Sequence, residues 1–372
     1  MRILFTGGGG GGHFFPVLAV IRELKRVAEE EQILDVQLFY IGPDDFGQDL
    51  LREEGVAPVR ITSGKMRRYA SVRNIADIFK TFLGVVQAFW NIFLIMPDVI
   101  FSKGSYGALP AVVVSAVFRI PLMIHESDAI PGRVSRFSAR FASRIGVAFP
   151  SAAAYFPKAK VALVGIPLRR RILGGIKEEA AETFNVFSDL PVIGVIGASQ
   201  GAVKINDAFL GTLKELTDQY ELVHQTGEKN YTDVKGEADV VLEFAHKERY
   251  HPLGFLNESQ IRDFYLLSDL IVSRAGASSI FEIAAHAKPS ILIPLSSAAQ
   301  DHQRKNAYEY AAEGGATIIE EGNLTPHILY AEIKKLMDDP VKLKRMGEAA
   351  SNFARPDAAE IIAKEILKLG VH

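Results

Sequence analysis

The sequence predicts an α/β protein made of two doubly wound domains, and three observations support that fold class. Short apolar strands alternate with helical patterns along the chain, which is typical of parallel sheets with helices on both faces. The order strand, small-residue loop, helix occurs at residues 2–26 and again from residue 191. The length of 372 residues suits two domains of roughly 150 residues each, with some excess.

The first half opens with an apolar strand at residues 2–6, followed by six glycines and a helix at 15–26. In that helix Val17, Leu18 and Ile21 recur at helical spacing. The remaining predicted elements of this half are strands at 36–41, 98–102, 121–125, 144–148 and 160–163 and a helix at 108–118.

The second half repeats the opening order with a strand at 191–196, a small-residue loop at 197–202 and a helix through 209–216. Short apolar runs then indicate further strands, because turn residues bound them. The later predicted elements are strands at 222–225, 239–244, 270–273 and 290–294 and a last helix at 357–369.

A domain boundary is predicted near residues 165–177, where Pro167, Gly174 and Gly175 interrupt the chain. The first domain then spans 1–165 and the second 166–356. We expect the C-terminal helix within 357–372 to pack back on the first domain.

Composition excludes several classes of protein. The formal net charge of −2 excludes binding to nucleic acid driven by global charge. The absence of cysteine excludes disulfides, thiolate metal sites and cysteine nucleophiles. The histidines and carboxylates lack metal-ligand spacing, so we expect no metal and no cofactor. Residues 1–6 lead straight into glycines without a secretory signal pattern, and we therefore expect a cytoplasmic protein.

The glycine run that ends in Gly11 and Gly12 is the first candidate site. Glycines between a strand and a helix let backbone N–H groups approach an anion, and the helix N-terminus adds partial positive charge. His13 follows at the helix start and is a candidate base for a bound hydroxyl. The run also satisfies G-x-G-x-x-G, so a dinucleotide-binding oxidoreductase stays open as an alternative.

Two further loops of small residues in the second half are candidate anion sites. One contains Ser199, Gln200 and Gly201, directly after the strand at 191–196. The other begins at Ser273 and enters a helix, where Ser278 and Ser279 are predicted to cap the helix and to offer N–H groups to a phosphate. Ala277 belongs to this loop. Glu282 lies one turn further on, where a carboxylate can accept hydrogen bonds from both hydroxyls of a ribose.

Two polar clusters complete the candidate residues. His302, Gln303 and Asn306 are spaced for one face of a helix, which suits hydrogen bonding to sugar hydroxyls. The segment His125-Glu126-Ser127-Asp128 closes an apolar strand. Polar side chains at the carboxyl end of a parallel strand lie where such sheets bind ligands, so Glu126 and Asp128 are candidates for acid–base chemistry.

In combination and order these motifs resemble the MurG family of bacterial N-acetylglucosaminyltransferases, a part of glycosyltransferase family 28. The resemblance covers almost the whole chain. The family's loop ends in Gly-Gly-His before a Phe-Pro, as Gly11 to Pro16 do here, and an arginine soon after its Val-Gly-Asn-Pro is matched by Arg169. The resemblance implies the GT-B fold, with two Rossmann-like domains and a cleft between them.

The resemblance also implies a reaction. N-acetylglucosamine would pass from UDP-N-acetylglucosamine to the lipid-linked muramyl peptide called lipid I, with inversion, to give lipid II. His13 is the first candidate for the base, with Glu126 or Asp128 as alternatives, and no obligatory metal is implied. The residues implied to bind the donor are Gly11, Gly12, His13, Asp128, Arg169, Ser199, Gln200, Gly201, Ala277, Ser278, Ser279, Glu282, His302, Gln303 and Asn306.

The sequence departs from the family at several of these positions. Threonine is usual where Gly10 stands, and the family's His-Glu-Gln-Asn reads His125-Glu126-Ser127-Asp128 here. Two alternatives within the fold therefore stay open. One is another UDP-sugar transferase that acts on a glycolipid or a natural product, and the other is a catalytically silent, membrane-associated homologue.

An anionic membrane surface is the partner predicted from residues 60–83. This segment carries six basic residues and one acid up to Lys80, among them Arg67, Arg68 and Arg73. An apolar stripe that includes Ile75, Phe79 and Phe82 lies beside them. Basic residues next to an apolar stripe suit peripheral attachment, here on the cytoplasmic face of the cell membrane. Arginines at 133, 136, 140 and 144 would add a basic face if that segment were helical.

Overall fold

A computed structural model describes residues 1–8, 10–43, 45–64, 72–197 and 202–371. The chain divides into two compact units. The first unit contains Met1–Arg169 together with Arg355–His372, and the second contains Arg170–Ala354. Each unit is an α/β layer structure around one parallel sheet.

The first unit holds a parallel sheet of seven strands within the described residues, in the order β3-β2-β1-β4-β5-β6-β7. The strand order reverses between β1 and β4. These two strands pair with each other in parallel, and β1 also pairs in parallel with β2. Ligands of open α/β sheets bind at such a reversal, outside the carboxyl ends of the strands. The strands are β1 Arg2–Thr6, β2 Gln37–Gly42, β3 Ala57–Arg60, β4 Val99–Ser102, β5 Leu122–Glu126, β6 Arg144–Val147 and β7 Val161–Leu163.

Helices cover both faces of this sheet because the strands are apolar on both sides. Ile3 and Phe5 of β1 point to one core, and Leu4 points to the other. The helices of the unit are α1 Gly11–Glu30, α2 Gln48–Glu53, α3 Val72–Ile95, α4 Leu109–Phe118, α5 Arg133–Ser138 and α6 Pro150–Ala153, and the C-terminal α17 Ala358–Gly370.

The C-terminal helix α17 packs on α1 within the first unit. Ile362 and Ile366 are fully buried in the same core as the apolar face of α1. The Arg26 guanidinium also lies 2.9 Å from the Glu360 carboxylate at the edge of this contact. The end of the chain thus completes the hydrophobic layer over one face of the first sheet.

The second unit repeats the architecture with six parallel strands among its described residues, in the order β10-β9-β8-β11-β12-β13. Its strand order reverses between β8 and β11. The strands are β8 Val192–Ile196, β9 Glu221–Gln225, β10 Tyr250–Leu253, β11 Leu270–Ser273, β12 Ser290–Leu292 and β13 Ala316–Ile318. The helices are α7 Lys177–Phe184, α8 Val203–Leu210, α9 Leu213–Thr217, α10 Tyr231–Val241, α11 Phe244–Lys247, α12 Glu258–Leu267, α13 Ala277–Ala285, α14 His302–Ala312, α15 Pro326–Met337 and α16 Pro340–Phe353.

Three predictions about elements are wrong. Residues 239–244 are not a strand, because α10 continues to Val241 and the strand β10 follows at Tyr250–Leu253. The helix predicted through 209–216 is two helices that meet at Gly211, whose close approach to Pro326 leaves no space for a side chain. The arginines from 133 to 144 share no helix, because α5 ends at Ser138 and Arg144 begins a strand.

The long helix α3 packs on the first unit through one face only. Ala88 and Ile92 are fully buried on that face. The backbone of Thr62 runs so close to Gly84 that an added Cβ would lie 1.8 Å from the Thr62 carbonyl oxygen. Among the described helices, α3 alone contains a segment (Ala76–Ile95) long and apolar enough to cross a membrane by length and composition, and 17% of its apolar window is buried.

Candidate active site

The glycine loop after β1 lies at the strand-order reversal of the first sheet. Gly8 and Gly10 have φ values of 148° and 105°, which L-residues rarely adopt. Helix α1 begins at Gly11, earlier than predicted, and the backbone N–H of His13 donates to the Gly10 carbonyl at 3.1 Å. A Cβ on Gly12 would meet no heavy atom within 4 Å. The loop therefore offers open space in front of the first turn, which contains His13.

Glu126 holds the loop that follows β5. Its Oε1 accepts from the backbone N–H of Asp128 and its Oε2 from that of Gly132, both at 3.1 Å. Burial raises the pKa of Glu126 above its usual value, and the nearby Asp128 carboxylate acts in the same direction. Because both oxygens are occupied by backbone donors, this side chain is suited to shape the loop. Asp128 itself is partly exposed.

His125 is buried in the same edge of the sheet. Its Nε2 is 2.7 Å from the Gly165 carbonyl oxygen. Burial lowers the pKa of His125 well below its usual value, and the neighbouring Lys103 ammonium lowers it further. The ring is therefore neutral at neutral pH, with Nε2 as the hydrogen-bond donor to Gly165.

Lys103 is a functional candidate that the sequence analysis missed. It directly follows β4 on the other side of the strand-order reversal, and only 2% of it is exposed. Its Nζ donates a hydrogen bond to the Ser127 hydroxyl. Burial lowers the pKa of Lys103 to about 8, against the opposing effect of Glu126 and Asp128. A lysine at the end of an apolar strand was the only available signal, and it gives no hint of burial.

Arg169 belongs to the first unit and is almost fully buried. Its guanidinium stacks on the ring of Phe15, with 4.2 Å between the guanidinium carbon and the ring centroid. Phe15 also contacts Phe14 and Phe46 edge to face. The aromatic residues after the glycine loop thus place this arginine beside α1.

The loop after β11 carries the second group of candidate residues. Helix α13 begins at Ala277 with Gly276 as its N-cap, and no side chain caps it. The prediction that Ser278 and Ser279 cap this helix is therefore wrong, since both lie within its first turn. Their backbone N–H groups are among the first four of the helix, which have no intrahelical acceptor. The first turn of α13 is thus suited to bind an anion.

Glu282 lies one turn into α13 and is partly exposed. The Tyr265 hydroxyl donates to its Oε2 at 3.0 Å, and the Tyr265 ring stacks on His286 at 4.8 Å between centroids. The backbone carbonyl of Glu282 is 2.7 Å from the Nδ1 of His286. These contacts orient the carboxylate while leaving part of it accessible.

The three polar residues of α14 differ in burial, which their spacing in the sequence does not predict. Asn306 is fully buried, and its Nδ2 lies 3.5 Å from the Ala275 carbonyl oxygen. The Oε1 of Gln303 accepts from the backbone N–H of Leu295 at 3.0 Å, and His302 contacts the Ala299 carbonyl through Nδ1. Asn306 and Gln303 therefore hold the loops after β11 and β12.

Glu321 contacts residues of the same two loops. The Arg274 guanidinium lies 2.7 Å from Glu321 Oε1, and Oε2 accepts from both the backbone N–H and the hydroxyl of Ser296. Burial raises the pKa of Glu321, but the hydrogen bonds from Ser296 and Arg274 outweigh it and hold the pKa at about 2. The Lys204 ammonium, in the first turn of α8, is 3.7 Å away. No sequence motif predicts a role for this carboxylate.

Several candidate residues lie outside the described part of the chain. They are Ser199, Gln200 and Gly201 of the loop before α8, and Arg67 and Arg68 of the basic segment. Arg73 and Ile75 lie in α3, but their side chains are not described. Among the residues that are described, no three His, Asp or Glu side chains are arranged to hold a metal ion.

Comparisons with known proteins agree with the fold and with the motifs. Residues 3–147 match the glycosyltransferase family 28 N-terminal domain, and residues 192–362 match the glycosyltransferase family 28 C-terminal domain. A relative from Bacillus cereus is 36% identical over 337 residues, which cover 90% of this chain and 91% of the relative. It is named UDP-N-acetylglucosamine--N-acetylmuramyl-(pentapeptide) pyrophosphoryl-undecaprenol N-acetylglucosamine transferase 2.

Solved structures show the same architecture. The crystal structure of MurG from Acinetobacter baumannii has a TM-score of 0.77 and 25% identity, over 99% of both chains. A UDP-GlcNAc 2-epimerase from Neisseria meningitidis bound to UDP-GlcNAc has a TM-score of 0.71 over 99% of this chain and 100% of that one. At 14% identity the latter likeness concerns the fold alone. The two parallel-sheet units and these neighbours confirm the predicted GT-B fold class.

Proposed function

The chain belongs to glycosyltransferase family 28, and on that basis we propose that it is the N-acetylglucosaminyltransferase that converts lipid I to lipid II in peptidoglycan synthesis. One observation carries this proposal. A relative named for that reaction is 36% identical to the chain over 90% of its length. The donor is UDP-N-acetylglucosamine, and the acceptor is a muramyl peptide linked through a diphosphate to a polyprenyl chain.

Donor binding is assigned to the second unit. Ala277, Ser278 and Ser279 supply the first turn of α13 to the diphosphate, because helix N-termini bind anions. Glu282 accepts hydrogen bonds from the ribose hydroxyls. We assign the same diphosphate to the loop of Ser199, Gln200 and Gly201, although that loop lies outside the described residues. His302 is assigned to the donor through its position at the start of α14, and Gln303 and Asn306 act by holding the loops.

The chemical step needs one base and a stabilised leaving group. The acceptor hydroxyl oxygen forms a bond to the anomeric carbon of N-acetylglucosamine, while the bond from that carbon to the UDP oxygen breaks. The hydroxyl proton passes to the base, and UDP leaves with the electron pair of the broken bond. His13 is our assignment for the base, because it lies in the first turn beside the open glycine loop. Asp128 is the alternative base.

Glu126 is less suited to the role of base. Both of its oxygens already accept backbone hydrogen bonds, and removing it would release the loop that carries Asp128. We therefore assign Glu126 to positioning. Gly12 keeps the space in front of α1 open, and a Cβ on Gly11 would lie 3.1 Å from the ring of Phe15. Arg169 stacks on that same ring.

Attachment to an anionic membrane surface is proposed for the exposed face of α3. Phe79, Phe82, Val86, Trp90 and Phe93 follow one another at intervals of three or four residues, so they share one side of the helix. The exposed fractions are 69% for Phe79, 68% for Phe82 and 59% for Trp90. Contiguous exposed apolar residues of this size mark an interaction site.

The preceding basic residues complete the proposed membrane surface. Each cation near an anionic lipid surface contributes about 1 kcal/mol of attraction. Arg67, Arg68 and Arg73 directly precede the apolar face in the chain. A polyprenyl-linked acceptor is confined to the membrane, and we therefore place the protein peripherally on its cytoplasmic face, where UDP-sugars are available.

A thermal-shift panel tests this function against the oxidoreductase alternative. A ligand that binds only the folded state raises the midpoint of unfolding with the logarithm of its concentration. We expect UDP-N-acetylglucosamine and UDP to stabilise the chain, UDP-glucose to stabilise it less and NAD to have no effect. Stabilisation by NAD without stabilisation by any uridine nucleotide would contradict the proposed function.

A further inference from the structure

The hydroxyl of Tyr265 contacts the carboxylate that the proposed function assigns to the ribose of the donor. It donates to the Oε2 of Glu282 at 3.0 Å. We propose that Tyr265 is a positioning residue that orients the Glu282 carboxylate before the nucleotide binds, and that it thereby sets the selectivity of this site for a ribonucleotide over a deoxyribonucleotide. This inference rests on the proposed function, because it takes a uridine nucleotide as the ligand of Glu282.

Helix α12, which carries Tyr265, is fixed on the second sheet. A capping box starts the helix, in which the Asn257 side chain accepts from the backbone N–H of Gln260 at 3.0 Å and the Gln260 side chain accepts from that of Asn257 at 3.1 Å. A Cβ built on Gly194 of β8 would lie 2.7 Å from the ring of Phe264, so the helix lies directly on this strand. The backbone of Tyr265 is therefore held in place without a ligand.

The ring of Tyr265 is fixed as well. The residue is fully buried. Its ring meets Phe264 edge to face, with 5.4 Å between centroids, and stacks on the imidazole of His286 at 4.8 Å. That imidazole is located by two carbonyl oxygens, since its Nδ1 lies 2.7 Å from the carbonyl of Glu282 and its Nε2 lies 2.8 Å from the carbonyl of Ile172. The phenol hydroxyl thus donates to Glu282 from a defined position.

The hydrogen bond restricts a side chain that would otherwise adopt several rotamers. Glu282 is partly exposed on α13, and ordering such a side chain when a ligand binds costs free energy. A donor in a fixed position removes part of that cost in advance. An ionised carboxylate has about four acceptor positions, so the bond from Tyr265 is compatible with further bonds from two ribose hydroxyls.

Selectivity follows from this orientation. A site whose polar group is placed to bind a hydroxyl discriminates against a ligand that lacks the hydroxyl, because the polar group then loses its partner. The discrimination is weaker when the carboxylate can turn towards solvent and be hydrated there. Tyr265 should therefore contribute more to the affinity for UDP than to the affinity for an analogue without one of the ribose hydroxyls.

Calorimetry with UDP, 2′-deoxy-UDP and 3′-deoxy-UDP on the wild type and on Tyr265→Phe tests the inference. The substitution removes the hydroxyl and keeps the ring that stacks on His286. We expect the wild type to prefer UDP over both analogues, and the preference over at least one of them to shrink by about threefold to tenfold in the variant. Each preference is a ratio within one protein, so partial unfolding of the variant does not alter it. Unchanged preferences over both analogues would overturn the inference.

A double-mutant cycle with Glu282→Ala tests whether Tyr265 acts through this carboxylate. When the carboxylate is absent, the phenol has nothing to orient. Adding Tyr265→Phe to Glu282→Ala should therefore change the dissociation constant for UDP by less than about twofold. A loss of affinity as large as the one that Tyr265→Phe causes in the wild type would show that Tyr265 acts by another route, and it would overturn the inference.

Tyr250→Phe is the matched control. Tyr250 is also a buried tyrosine of the second unit, but it belongs to β10, and its hydroxyl lies 2.9 Å from the Nδ1 of His224. Its substitution removes a buried contact of a phenol hydroxyl without changing the contact to Glu282. It should lower stability and leave the preference for UDP as in the wild type. A preference that shrinks equally in this variant would mean that the effect is not specific to Tyr265, against our inference.

The experiment separates this inference from the proposed function, because it uses the nucleotide without an acceptor. A wild type that binds UDP but transfers no GlcNAc to lipid I would contradict the proposed function and leave the result for Tyr265 standing. A wild type that transfers GlcNAc, with unchanged preferences in Tyr265→Phe, would overturn the inference alone. A wild type that binds none of the three nucleotides would overturn both.

Discussion

At the scale of single residues, the carboxylates of the two sheet edges differ in how much of their hydrogen-bonding capacity is used. Glu126 is buried and accepts two backbone hydrogen bonds. Glu282 is partly exposed, and the Tyr265 hydroxyl donates to one of its oxygens. A carboxylate with remaining acceptor sites on an open side can bind a ligand hydroxyl. Glu282 is therefore the carboxylate suited to the donor, and Glu126 is the one suited to hold a loop.

Substituting Glu282 by alanine should weaken UDP binding. Charge-assisted hydrogen bonds contribute about 1.5–3 kcal/mol, so we expect the dissociation constant to rise roughly tenfold to a hundredfold. Isothermal calorimetry with UDP measures this directly. Glu348→Ala, an exposed change on α16, is the control and should bind UDP like the wild type. Equal affinities in wild type and a folded Glu282→Ala would remove Glu282 from the site.

Substituting His13 by alanine should slow the chemical step. A positioned general base contributes about 10²–10⁴-fold, and we expect kcat to fall by that factor while the donor KM changes little. Steady-state kinetics at saturating acceptor separate the two parameters. Asp128→Asn is measured beside it. If His13→Ala keeps kcat within a few fold and Asp128→Asn does not, the base is Asp128.

At the scale of elements, the second sheet edge depends on a buried ion pair between neighbouring loops. Arg274 directly follows β11, Ser296 lies after β12, and Glu321 lies after β13. Glu321 contacts both of the other residues, and α14 adds the hydrogen bond from Leu295 to Gln303. Side-chain contacts thus connect the loops that follow three successive strands. These contacts keep the first turn of α13 in place.

Substituting Glu321 by glutamine should therefore lower both stability and donor affinity. Removing one partner of a buried ion pair costs about 3 kcal/mol or more. The pKa of Glu321 is about 2 against an ordinary 4.5, so its contribution is present above pH 4.5 and is lost as pH falls towards 2. Urea unfolding measured from pH 6 to pH 3 should show that the free energy of unfolding falls less steeply with decreasing pH in the variant than in the wild type.

The neighbouring Glu320 provides the control for this prediction. It pairs with Arg304 at 3.2 Å and accepts from the Tyr308 hydroxyl on a more open surface. Surface pairs contribute at most about 1 kcal/mol, so Glu320→Gln should change little. Equal losses of stability and donor affinity in the two variants would mean that Glu321 does not hold the loops in place.

The exposed face of α3 should bind vesicles. We expect the wild type to sediment with anionic vesicles more than with neutral ones, and less as salt rises. Combined substitution of Phe79, Phe82 and Trp90 by glutamate should abolish sedimentation, because it removes the apolar contact and adds negative charge. Replacing Arg67, Arg68 and Arg73 by glutamate should remove the preference for anionic lipid.

The control for membrane binding is Val240→Glu, which alters a residue of α10 that is 87% exposed. It should sediment like the wild type. An α3 variant that binds vesicles as well as the wild type does would reject this face as the membrane surface. Vesicle binding that does not depend on lipid charge or salt concentration would contradict only the electrostatic contribution of the basic residues.

Sequence patterns predicted the central elements better than the peripheral ones. Strands β1, β8 and β11 are buried on both sides, so their apolar runs are unbroken and easy to identify. The edge strands β3, β10 and β13 are short and contain proline or polar residues, and the periodicity in them is weak. The sequence does not predict Lys103 and Glu321 as site residues, because the residues that contact them lie far away in the chain. Burial of a charged side chain depends on those tertiary contacts.

At the scale of the whole molecule, the chain uses one architecture twice for two tasks. Both units have a strand-order reversal, between β1 and β4 in the first and between β8 and β11 in the second. In our account the first unit carries the base and the membrane face. The second carries the donor loops. Turnover therefore requires both units.

The most direct test of this account is GlcNAc transfer by the purified full-length chain. Radiolabelled UDP-N-acetylglucosamine is incubated with lipid I in detergent, and the lipid fraction and the nucleotide are analysed at intervals. We predict that label enters a disaccharide lipid in equal amounts with released UDP, and that a diacylglycerol acceptor gives no product. Label transferred only to another acceptor, conversion of the donor to its 2-epimer, or donor binding without turnover would contradict the account.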